Sequence, residues 1–352
     1  MRHFKLPGTC GCATPFGNGH INDTYRVACH RNGREESAVL QRINHQIFSN
    51  PVALMENIER VTLHLAAQLA GQPDAARRVL HLIPTREGKR WYRDEAGNYW
   101  RAYWYIDRAR SLETVESTEQ AFQAARAFGH FQCALADLPA PRLYDTIPDF
   151  HHTPKRFAAL EAAIEADCVQ RAKDVQAEIE FALAHKPIAS VLLDAALPER
   201  VTHNDTKVNN VLLDEATGEG ICVVDLDTVM PGLALYDFGD MVRTATSPAP
   251  EDELDLSKVE MQFPMFEALV RGYLESAGSF LTKEEKALLA FSGKLITFEV
   301  GIRFLTDYLN GDTYFKVHRT HHNLDRCRTQ FKLVESIERQ EEAMNRLVEK
   351  FS

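Results

Sequence analysis

The stretch VTHNDTKVNNVLLDEATGEGICVVDLD, residues 201–227, decides the fold prediction. Its two apolar segments, 208–213 and 221–224, predict short buried strands that form a hairpin. Carboxylate and carboxamide side chains lie beside both segments, at the ends of the predicted strands. The prediction of function starts from these polar groups.

Three oxygen-bearing side chains in this stretch suit phosphoryl transfer. Asp205 and Asn210 lie five residues apart in a loop, with Lys207 between them, and Asp225 ends the next strand. One carboxamide with one or two carboxylates suits Mg²⁺, because this hard cation takes oxygen ligands and keeps phosphate oxygens in its shell. Asp205 would then be available to orient an attacking hydroxyl. The alternative is that these are ordinary turn residues, since Asp and Asn are common where strands end.

The composition of the whole chain limits the class of protein. The 352 residues suffice for two domains, and 45% of them are hydrophobic. A net charge of −10 argues against a nucleic-acid binder, which needs a basic stripe. Seven scattered cysteines without a CxxC pair fit a reducing compartment better than a disulfide scaffold. With no signal-peptide core and no apolar run of ~18 residues, we expect a cytoplasmic protein that binds neither nucleic acid nor membrane. Protein partners and oligomeric state stay open.

Hydrophobic periodicity in the first third predicts a sheet with one helix. Strand patterns precede and follow a helical repeat that begins at Pro51, a residue typical of the first helical position. Asn32-Gly33 and Gly97-Asn98 are the expected turns. Residues 1–107 therefore form one predicted lobe, which would bind the nucleotide.

The rest of the chain, residues 108–352, is predicted to be mainly helical. Residues 157–186 have the pattern of a long amphipathic helix, and Thr282 with Glu285 has the spacing of a capping box. The hairpin of 201–227 is the strand-like exception, and we expect it to lie on this helical lobe.

The spacing H-x-D-x-K-x-x-N at His203, Asp205, Lys207 and Asn210, followed by Asp225 in VVDLD, resembles the catalytic loop and metal motif of the protein-kinase-like fold. The form is that of the aminoglycoside phosphotransferase and choline kinase group. The resemblance implies an α+β, bilobal fold with a small antiparallel-sheet N-lobe and a larger, mainly helical C-lobe. It also implies ATP and Mg²⁺ as cofactors.

The same resemblance implies a role for each motif residue. Asp205 would be the catalytic base and Lys207 would lie near the transferring phosphate. Asn210 and Asp225 would be magnesium ligands. Asp237, in the segment LALYDFGDMVR, would brace the catalytic loop.

The N-lobe of such a fold needs groups that hold the nucleotide. Glycines in FGNGHINDTYRV let backbone N–H groups approach phosphates, so Gly17, Asn18 and Gly19 are candidates. The strand AVLQRIN offers Gln41 and Arg42 where protein kinases have a lysine, and Arg42 is favoured because it can neutralise phosphate. Its helix partner would be Glu56 or Glu59. Tyr105 and Ile106 belong to the segment that would hold adenine through backbone groups, although neighbouring aromatics can also be strand core.

Several stretches in both parts of the chain resemble the N-acetylhexosamine 1-kinases of that group, among them GNGHINDTY and GIRFLTDYLNGDTYF. That resemblance implies phosphorylation of the C1 hydroxyl of N-acetylglucosamine or N-acetylgalactosamine. A sugar pocket needs fixed polar groups beside an aromatic ring, and the candidates are His20, Arg243, Arg303, Asp307 and Tyr308, with Asp205 taking the hydroxyl proton. Arg303 with Asp307 has the i,i+4 spacing of an ion pair, which is an equally good reading.

Two other functions remain open. The same fold can act on an aminoglycoside, choline, homoserine or another sugar, although Arg243 and Arg303 would repel a polycation. The missing strand lysine also allows a nucleotide-binding pseudokinase, against which the joint presence of Asp205, Asn210 and Asp225 argues.

Overall fold

The computed structural model describes residues 1–17, 21–31 and 34–352. The chain forms two compact units, each built from three segments. The sheet unit comprises 1–110, 134–148 and 212–231, and the helical unit comprises 111–133, 149–211 and 232–352. The first change of unit follows Arg110, close to the predicted lobe boundary, and two later segments of the chain return to the sheet unit.

Short strands alternate with turns through the first third of the chain. The strands of the described residues are β1 Thr9–Cys10, β2 Thr14–Pro15, β3 Asp23–Arg31, β4 Arg34–Ile43, β5 Tyr92–Arg93, β6 Tyr99–Trp104, β7 Ala109–Arg110, β8 Arg200–Thr202, β9 Val211–Asp214, β10 Gly220–Val223 and β11 Met230–Gly232. In the described part of the sheet unit, an antiparallel sheet has the order β1-β3-β4-β6-β5, with β2 also paired to β3.

Side-chain alternation explains the core of this sheet. Val27, Ala38, Leu40 and Ala102 are buried and pack with Phe4 in one cluster, as expected when every second residue of a strand points to the same face. The predicted turn at Gly97 is present, with a positive φ of 87° that glycine adopts without steric cost. The predicted turn at Asn32-Gly33 lies outside the described residues.

Helix α1, Pro51–Gln68, belongs to the sheet unit and begins where the sequence predicts. Pro51 occupies the first turn, and the Asn50 side chain accepts a hydrogen bond from the Ala53 N–H. Its apolar residues Leu54, Ile58 and Val61 are buried at helical spacing.

Except for Val211, the hairpin of β9 and β10 belongs to the sheet unit, so its expected place on the helical part is wrong. β9 pairs antiparallel with β7, in the register Ala109 to Asp214. Ion pairs add to that contact, because Arg77 Nη1 lies 2.7 Å from Asp214 Oδ2 and Arg78 Nη1 lies 3.1 Å from Glu219 Oε1. The sequence pattern predicted the strands and not their partner.

A disulfide joins Cys10 to Cys29, which the cysteine spacing did not predict. The two residues are directly opposite in the β1–β3 pair, with Cα atoms 4.0 Å apart. Pairing of the strands brings together two cysteines that are distant in sequence. Free thiols remain at Cys12, Cys133, Cys168, Cys222 and Cys327.

The helical unit contains most of the helices found among the described residues. They are α2 Thr118–Ala134, α3 Thr153–Ala166, α4 Gln176–His185, α5 Val191–Asp194, α6 Ala234–Ala245, α7 Phe263–Ala277, α8 Lys283–Ala287, α9 Leu289–Leu309 and α10 His322–Phe351. Helix α9 packs against α3, α6 and α10 and forms the centre of this unit. No helix in the described part of the chain is long and apolar enough to cross a membrane.

Two predictions for the helical part have different outcomes. The capping box is confirmed, because the Thr282 side chain accepts from the Glu285 N–H while the Glu285 side chain accepts from the Thr282 N–H. The continuous helix predicted over 157–186 is wrong, because α3 ends at Ala166. The next residue, Asp167, has a left-handed φ of 35°, and α4 begins only at Gln176.

Candidate active site

The loop after β8 is held in place by one buried carboxylate of the helical unit. Asp237 on α6 is fully buried, and its two oxygens accept from the backbone N–H groups of His203 at 2.9 Å and Asn204 at 2.7 Å. Its own carbonyl accepts from the Thr206 hydroxyl at 2.6 Å. The expected bracing by Asp237 is therefore confirmed. Burial raises the pKa of Asp237, and the N–H donors partly offset that rise.

The His203 side chain is also part of this support. It is fully buried, and its ring lies edge-on to Phe128 and Phe131, with centroids 5.4 and 5.9 Å away. His203 Nδ1 accepts from the Asp205 N–H at 3.3 Å. These contacts fix the backbone that carries Asp205.

Asp205 itself is half-buried and lies beside two groups of the predicted motif. Lys207 Nζ is 3.4 Å from its Oδ1, and Asn210 Nδ2 donates to its Oδ2 at 3.2 Å. Burial by itself would raise the pKa of Asp205, but Lys207, His203 and Arg243 together lower it below the usual value. Asp205 is therefore ionised at neutral pH and can accept a proton or a hydroxyl hydrogen bond.

Lys207 remains a cation beside this carboxylate. The charge of Asp205 raises its pKa and outweighs the opposing effect of burial. Its side chain is 45% exposed, so the ammonium can also reach an anion in solvent.

The Asn210 amide has a fixed orientation. Its Nδ2 donates to the Asp205 carbonyl at 2.8 Å as well as to the Asp205 side chain, and the residue is buried. Because the nitrogen is used in this way, the amide oxygen is the atom left for a cation, which is the donor that a hard metal takes.

Asp225 belongs to the sheet unit, where it directly follows Val224 at the end of the β10 segment. It is exposed and has a left-handed backbone, with φ 59° and ψ 58°. A non-glycine residue in this region is uncommon and often marks a functional position. Its exposed carboxylate suits a hard cation.

The oxygen atoms of Asn210 and Asp225 suit a metal ion that also keeps ligands from outside the protein. The described residues include no cluster of three or more His, Cys, Asp or Glu side chains that could hold a metal ion. A hard cation held by so few protein oxygens takes phosphate oxygens and water as its other ligands, and Mg²⁺ is bound in this way in nucleotide enzymes.

The structure describes only some of the predicted nucleotide contacts. Asn18, Gly19 and His20 lie outside the described residues. Gly17 is exposed, has φ 77°, and leaves open space around the position of a side chain. Ile106 is buried in a small apolar cluster with Ala109, Ile221 and Cys222.

The other two candidates for the nucleotide have partners within the sheet unit. Tyr105 stacks under the Arg26 guanidinium, 4.1 Å from its ring centroid. Arg42 forms an ion pair with Asp23, and both side chains are nearly half exposed. Of its two predicted helix partners, Glu56 and Glu59, the second pairs with Arg90 instead, with Glu59 Oε1 2.6 Å from Arg90 Nε. A phosphate contact by Arg42 stays a prediction.

Among the acceptor candidates, Arg243 is neutralised by two carboxylates. Its side chain is buried, and it lies 2.8 Å from Asp240 Oδ1 and 3.1 Å from Glu251 Oε1. Burial by itself would lower the pKa of Arg243, but these two carboxylates raise it, so the guanidinium stays charged. The sequence did not single out Asp240 or Glu251, because nothing in their local pattern distinguishes them from solvated charges.

Arg303 has a different setting. Its guanidinium lies 5.1 Å from the ring centroid of Phe150 and 5.7 Å from that of Phe315. The alternative prediction was an ion pair with Asp307, but that carboxylate has other partners. Asp307 accepts instead from the backbone N–H groups of the loop after α9, those of Thr313, Tyr314 and Phe315.

Tyr308 is buried, and its hydroxyl bonds to His321 Nδ1 at 2.8 Å while Arg171 lies over its ring. Contacts within the helical unit are therefore enough to explain why Asp307 and Tyr308 are buried. Sugar contacts of these residues stay predictions.

Comparison with known proteins gives one family and several solved folds. A model described as a phosphotransferase enzyme family matches residues 13–275. The chain is similar to a microcompartment-associated aminopropanol kinase, with 16% identity, a TM-score of 0.59, and 97% of this chain and 96% of that chain covered. It is also similar to a spectinomycin phosphotransferase in complex with ADP and spectinomycin, with 13% identity, a TM-score of 0.54, and 97% and 95% covered.

A third solved structure, choline kinase from Cryptosporidium parvum Iowa II, has 14% identity and a TM-score of 0.53, with 95% of this chain and 91% of that chain covered. At these identities the likeness shows the fold alone. The predicted α+β fold, with an antiparallel sheet in the N-terminal part and helices in the C-terminal part, is confirmed.

Proposed function

The chain belongs to the phosphotransferase enzyme family, and from that premise we propose that it transfers the γ-phosphoryl group of ATP to a hydroxyl of a small molecule. The braced loop of Asp205, Lys207 and Asn210 is the observation that carries this proposal. Its carboxylate is ionised and fixed by hydrogen bonds, and a cation lies beside it. Phosphoryl transfer asks for this combination, because positioning and charge neutralisation supply most of the catalysis.

Each residue of the site has one proposed role. Asp205 orients the acceptor hydroxyl and takes its proton, and Lys207 neutralises charge on the transferred group. Asn210 and Asp225 would hold Mg²⁺ through oxygen atoms, and the ion supplies charge neutralisation on phosphate oxygens when bound. A nucleotide is supported by one similar fold, the spectinomycin phosphotransferase, which holds ADP.

For the acceptor, we propose an N-acetylhexosamine phosphorylated at C1. Support comes from sequence stretches in both parts of the chain and from Arg303, whose guanidinium lies beside the rings of Phe150 and Phe315. A fixed hydrogen-bond donor beside aromatic faces is what a sugar ring with its acetamido carbonyl requires.

A second acceptor class is favoured by the environment of Arg243. Because Asp240 and Glu251 neutralise this arginine, it repels an amine-bearing acceptor less than its sequence alone suggests. The named acceptors of the similar folds, aminopropanol, spectinomycin and choline, carry amine or ammonium groups. An amino-alcohol acceptor is therefore the alternative to the sugar.

The proposed location is the cytoplasm, which supplies ATP and Mg²⁺. The five free cysteines fit a reducing compartment, whereas the Cys10–Cys29 disulfide does not.

A panel of acceptors tests this function directly. We expect ATP consumption with N-acetylglucosamine or N-acetylgalactosamine, and a product that has lost its reducing end, because a phosphate at C1 blocks ring opening. Choline, homoserine and an aminoglycoside serve as competing acceptors. Preference for any of these acceptors would overturn the sugar assignment, while the assignment as a kinase would stand.

The substitution Asp205→Asn tests the role of Asp205 as the base. It keeps the size and planar shape of the side chain and removes its charge. We expect its kcat to fall at least about 10²-fold, the contribution of a positioned general base, with an unchanged melting temperature. Near-normal kcat in this variant would remove Asp205 as the base.

A further inference from the structure

A fully buried arginine in the sheet unit has no role in the function described so far. Arg101 on β6 is 1% exposed, and the pairing of β4 with β6 places it directly opposite Gln41. Its Nε donates to Gln41 Oε1 at 2.9 Å, and its Nη1 donates to Asp227 Oδ1. A buried guanidinium is stable only with such partners, because removing a charge from water is costly.

Asp227 is equally buried and connects this arginine to the segment that follows β10. It is 3% exposed, and its second oxygen accepts from the Asn22 side-chain amide. The Asn22 side-chain oxygen Oδ1 in turn accepts from the Asn44 backbone N–H at 3.0 Å. The charge of Asp227 therefore has partners from two parts of the sheet unit.

Asp227 connects this network to Asp225, because the two residues are only two positions apart in the chain. The 3-10 turn Leu226–Thr228 begins directly after Asp225, which has the left-handed backbone of a fixed, strained residue. Asp227 is the anchored residue of that turn, whereas Asp225 is exposed. Because the carboxylate of Asp227 is held, the backbone of this turn is fixed, and with it the orientation of Asp225.

The electrostatic environment links Arg101 to both carboxylates. Burial by itself would lower the pKa of the Arg101 guanidinium, but the charges of Asp227 and Asp225 contribute to raising it. The arginine therefore stays charged in the core of the sheet unit. Neither of the two β4 candidates is placed in this way, because Gln41 is neutral and Arg42 pairs with Asp23 near solvent.

We propose that Arg101 is a positioning residue for the metal ligand Asp225, and that it provides from β6 a fixed positive charge that neither Gln41 nor Arg42 provides from β4. It acts through the buried ion pair with Asp227 and through Gln41. This inference rests on the proposed function, in which Asp225 binds Mg²⁺. A missing lysine on β4 is then no sign of a pseudokinase.

Binding of a fluorescent ATP analogue, titrated with Mg²⁺ and without any acceptor, tests this inference. For Arg101→Met we expect the Mg²⁺ concentration for half-maximal binding to rise about tenfold or more, as is typical when an outer-shell partner of a metal ligand is lost. Arg101→Lys should recover part of this loss, because it keeps the charge and not the planar fork.

Loss of folding is separated from loss of positioning by a second variant. Arg101→Met combined with Asp227→Leu leaves no buried charge without a partner, and such replacements are often tolerated. We expect this double variant to melt close to the wild type and still to need more Mg²⁺. A wild-type Mg²⁺ requirement in the folded double variant would overturn the inference.

Arg77→Met is the matched control. It breaks the Arg77–Asp214 ion pair, which is also partly buried in the sheet unit and does not involve the turn after Asp225. We expect a lower melting temperature with an unchanged Mg²⁺ requirement. An equal shift of the Mg²⁺ requirement in Arg77→Met would mean that general destabilisation explains the effect, and would overturn the inference. Absence of analogue binding by the wild type at every Mg²⁺ concentration would overturn the proposed function itself, which is a separable result.

Discussion

Asp237 holds the loop that carries Asp205 in place through several buried hydrogen bonds. Its carboxylate accepts from the N–H groups of His203 and Asn204 and from Gln132 Nε2 at 2.6 Å, all without access to water. These N–H donors offset part of the desolvation of the carboxylate, and the carboxylate gives each of these buried donors a partner. The backbone beside Asp205 is therefore held by a carboxylate that has no part in the proposed chemistry.

Asp237→Asn tests this bracing at the scale of one residue. The amide has one acceptor oxygen and a new donor, so one of the backbone N–H groups loses its acceptor and meets an N–H group instead. We expect the free energy of unfolding to fall by about 1–3 kcal/mol, the cost of one unsatisfied buried donor. We also expect kcat to fall, because the loop that carries Asp205 is no longer fixed.

Ser336→Ala provides the comparison. The buried Ser336 hydroxyl accepts from the Met261 N–H at 3.0 Å, so its loss also leaves a buried donor unsatisfied. A similar loss of stability with normal kcat is expected for this variant. If Asp237→Asn likewise kept normal kcat at a temperature where it is folded, bracing by Asp237 would not be needed for turnover.

At the scale of elements, two glycines determine how closely α6 lies against α9. A Cβ at Gly239 of α6 would lie 2.5 Å from the carbonyl oxygen of Ser292 and 2.7 Å from Ile296 Cγ1. A Cβ at Gly293 of α9 would lie 2.6 Å from Val242 Cγ1. Each helix therefore approaches the other at a position without a side chain, and α6 carries Asp237 at the resulting depth.

Gly239→Ala is expected to push α6 away from α9. In a mid-helix position alanine has the better helix propensity, by about 1 kcal/mol, but backbone atoms at 2.5 Å cannot yield without a shift of the helix. We expect a net loss of about 1–3 kcal/mol in the free energy of unfolding, the usual cost of overpacking. Thermal or urea unfolding measures it.

Gly11→Ala is the control for this substitution. Its added Cβ would meet the nearest atom, the Ala28 carbonyl oxygen, at an ordinary contact distance of 3.7 Å. We expect a change close to zero there. Equal stability changes in the two variants would show that α6 and α9 can separate at little cost.

Elements with local signals were predictable from the sequence, and those that depend on distant partners were not. Pro51 and the pair Thr282 with Glu285 mark helix starts because the stabilising contacts lie within one turn. The break after α3 depends on a left-handed Asp167, where no glycine or proline signals the end of the helix. The pairing of β7 with β9 joins residues more than a hundred positions apart, and no local pattern specifies that partner.

In the candidate site, too, the residues with local contacts were predictable from the sequence and those with distant partners were not. The H-x-D-x-K-x-x-N spacing indicated the loop residues, because contacts such as those of Asn210 with Asp205 are local in sequence. Arg101 was missed because it looks like an exposed polar residue of an alternating strand. Its partner Asp227 is 126 residues away in the chain, so only the tertiary structure shows that the arginine is buried and paired.

At the scale of the whole molecule, the two units are interleaved along the chain. The sheet unit needs 134–148 and 212–231 in addition to the first 110 residues. Segment 212–231 supplies Asp227 to Arg101, and the side chain of Asn57 in α1 donates to the Val229 carbonyl at 3.1 Å. The sheet unit is therefore compact in space and discontinuous in sequence.

A fragment of residues 1–110 is expected not to fold, although the sequence predicts a lobe boundary at residue 107. Without 212–231 the buried Arg101 loses Asp227, and an uncompensated buried charge costs about 3–5 kcal/mol. β7 also loses β9, and Ile106 and Ala109 lose the apolar contacts of Ile221 and Cys222. Because the total stability of a domain is only about 5–15 kcal/mol, these losses together suffice to unfold it. The full chain serves as the control in circular dichroism and amide-proton NMR. Cooperative melting of the fragment with a dispersed spectrum would contradict the prediction, since the first segment would then hold its own core and the return segments would only bind to it.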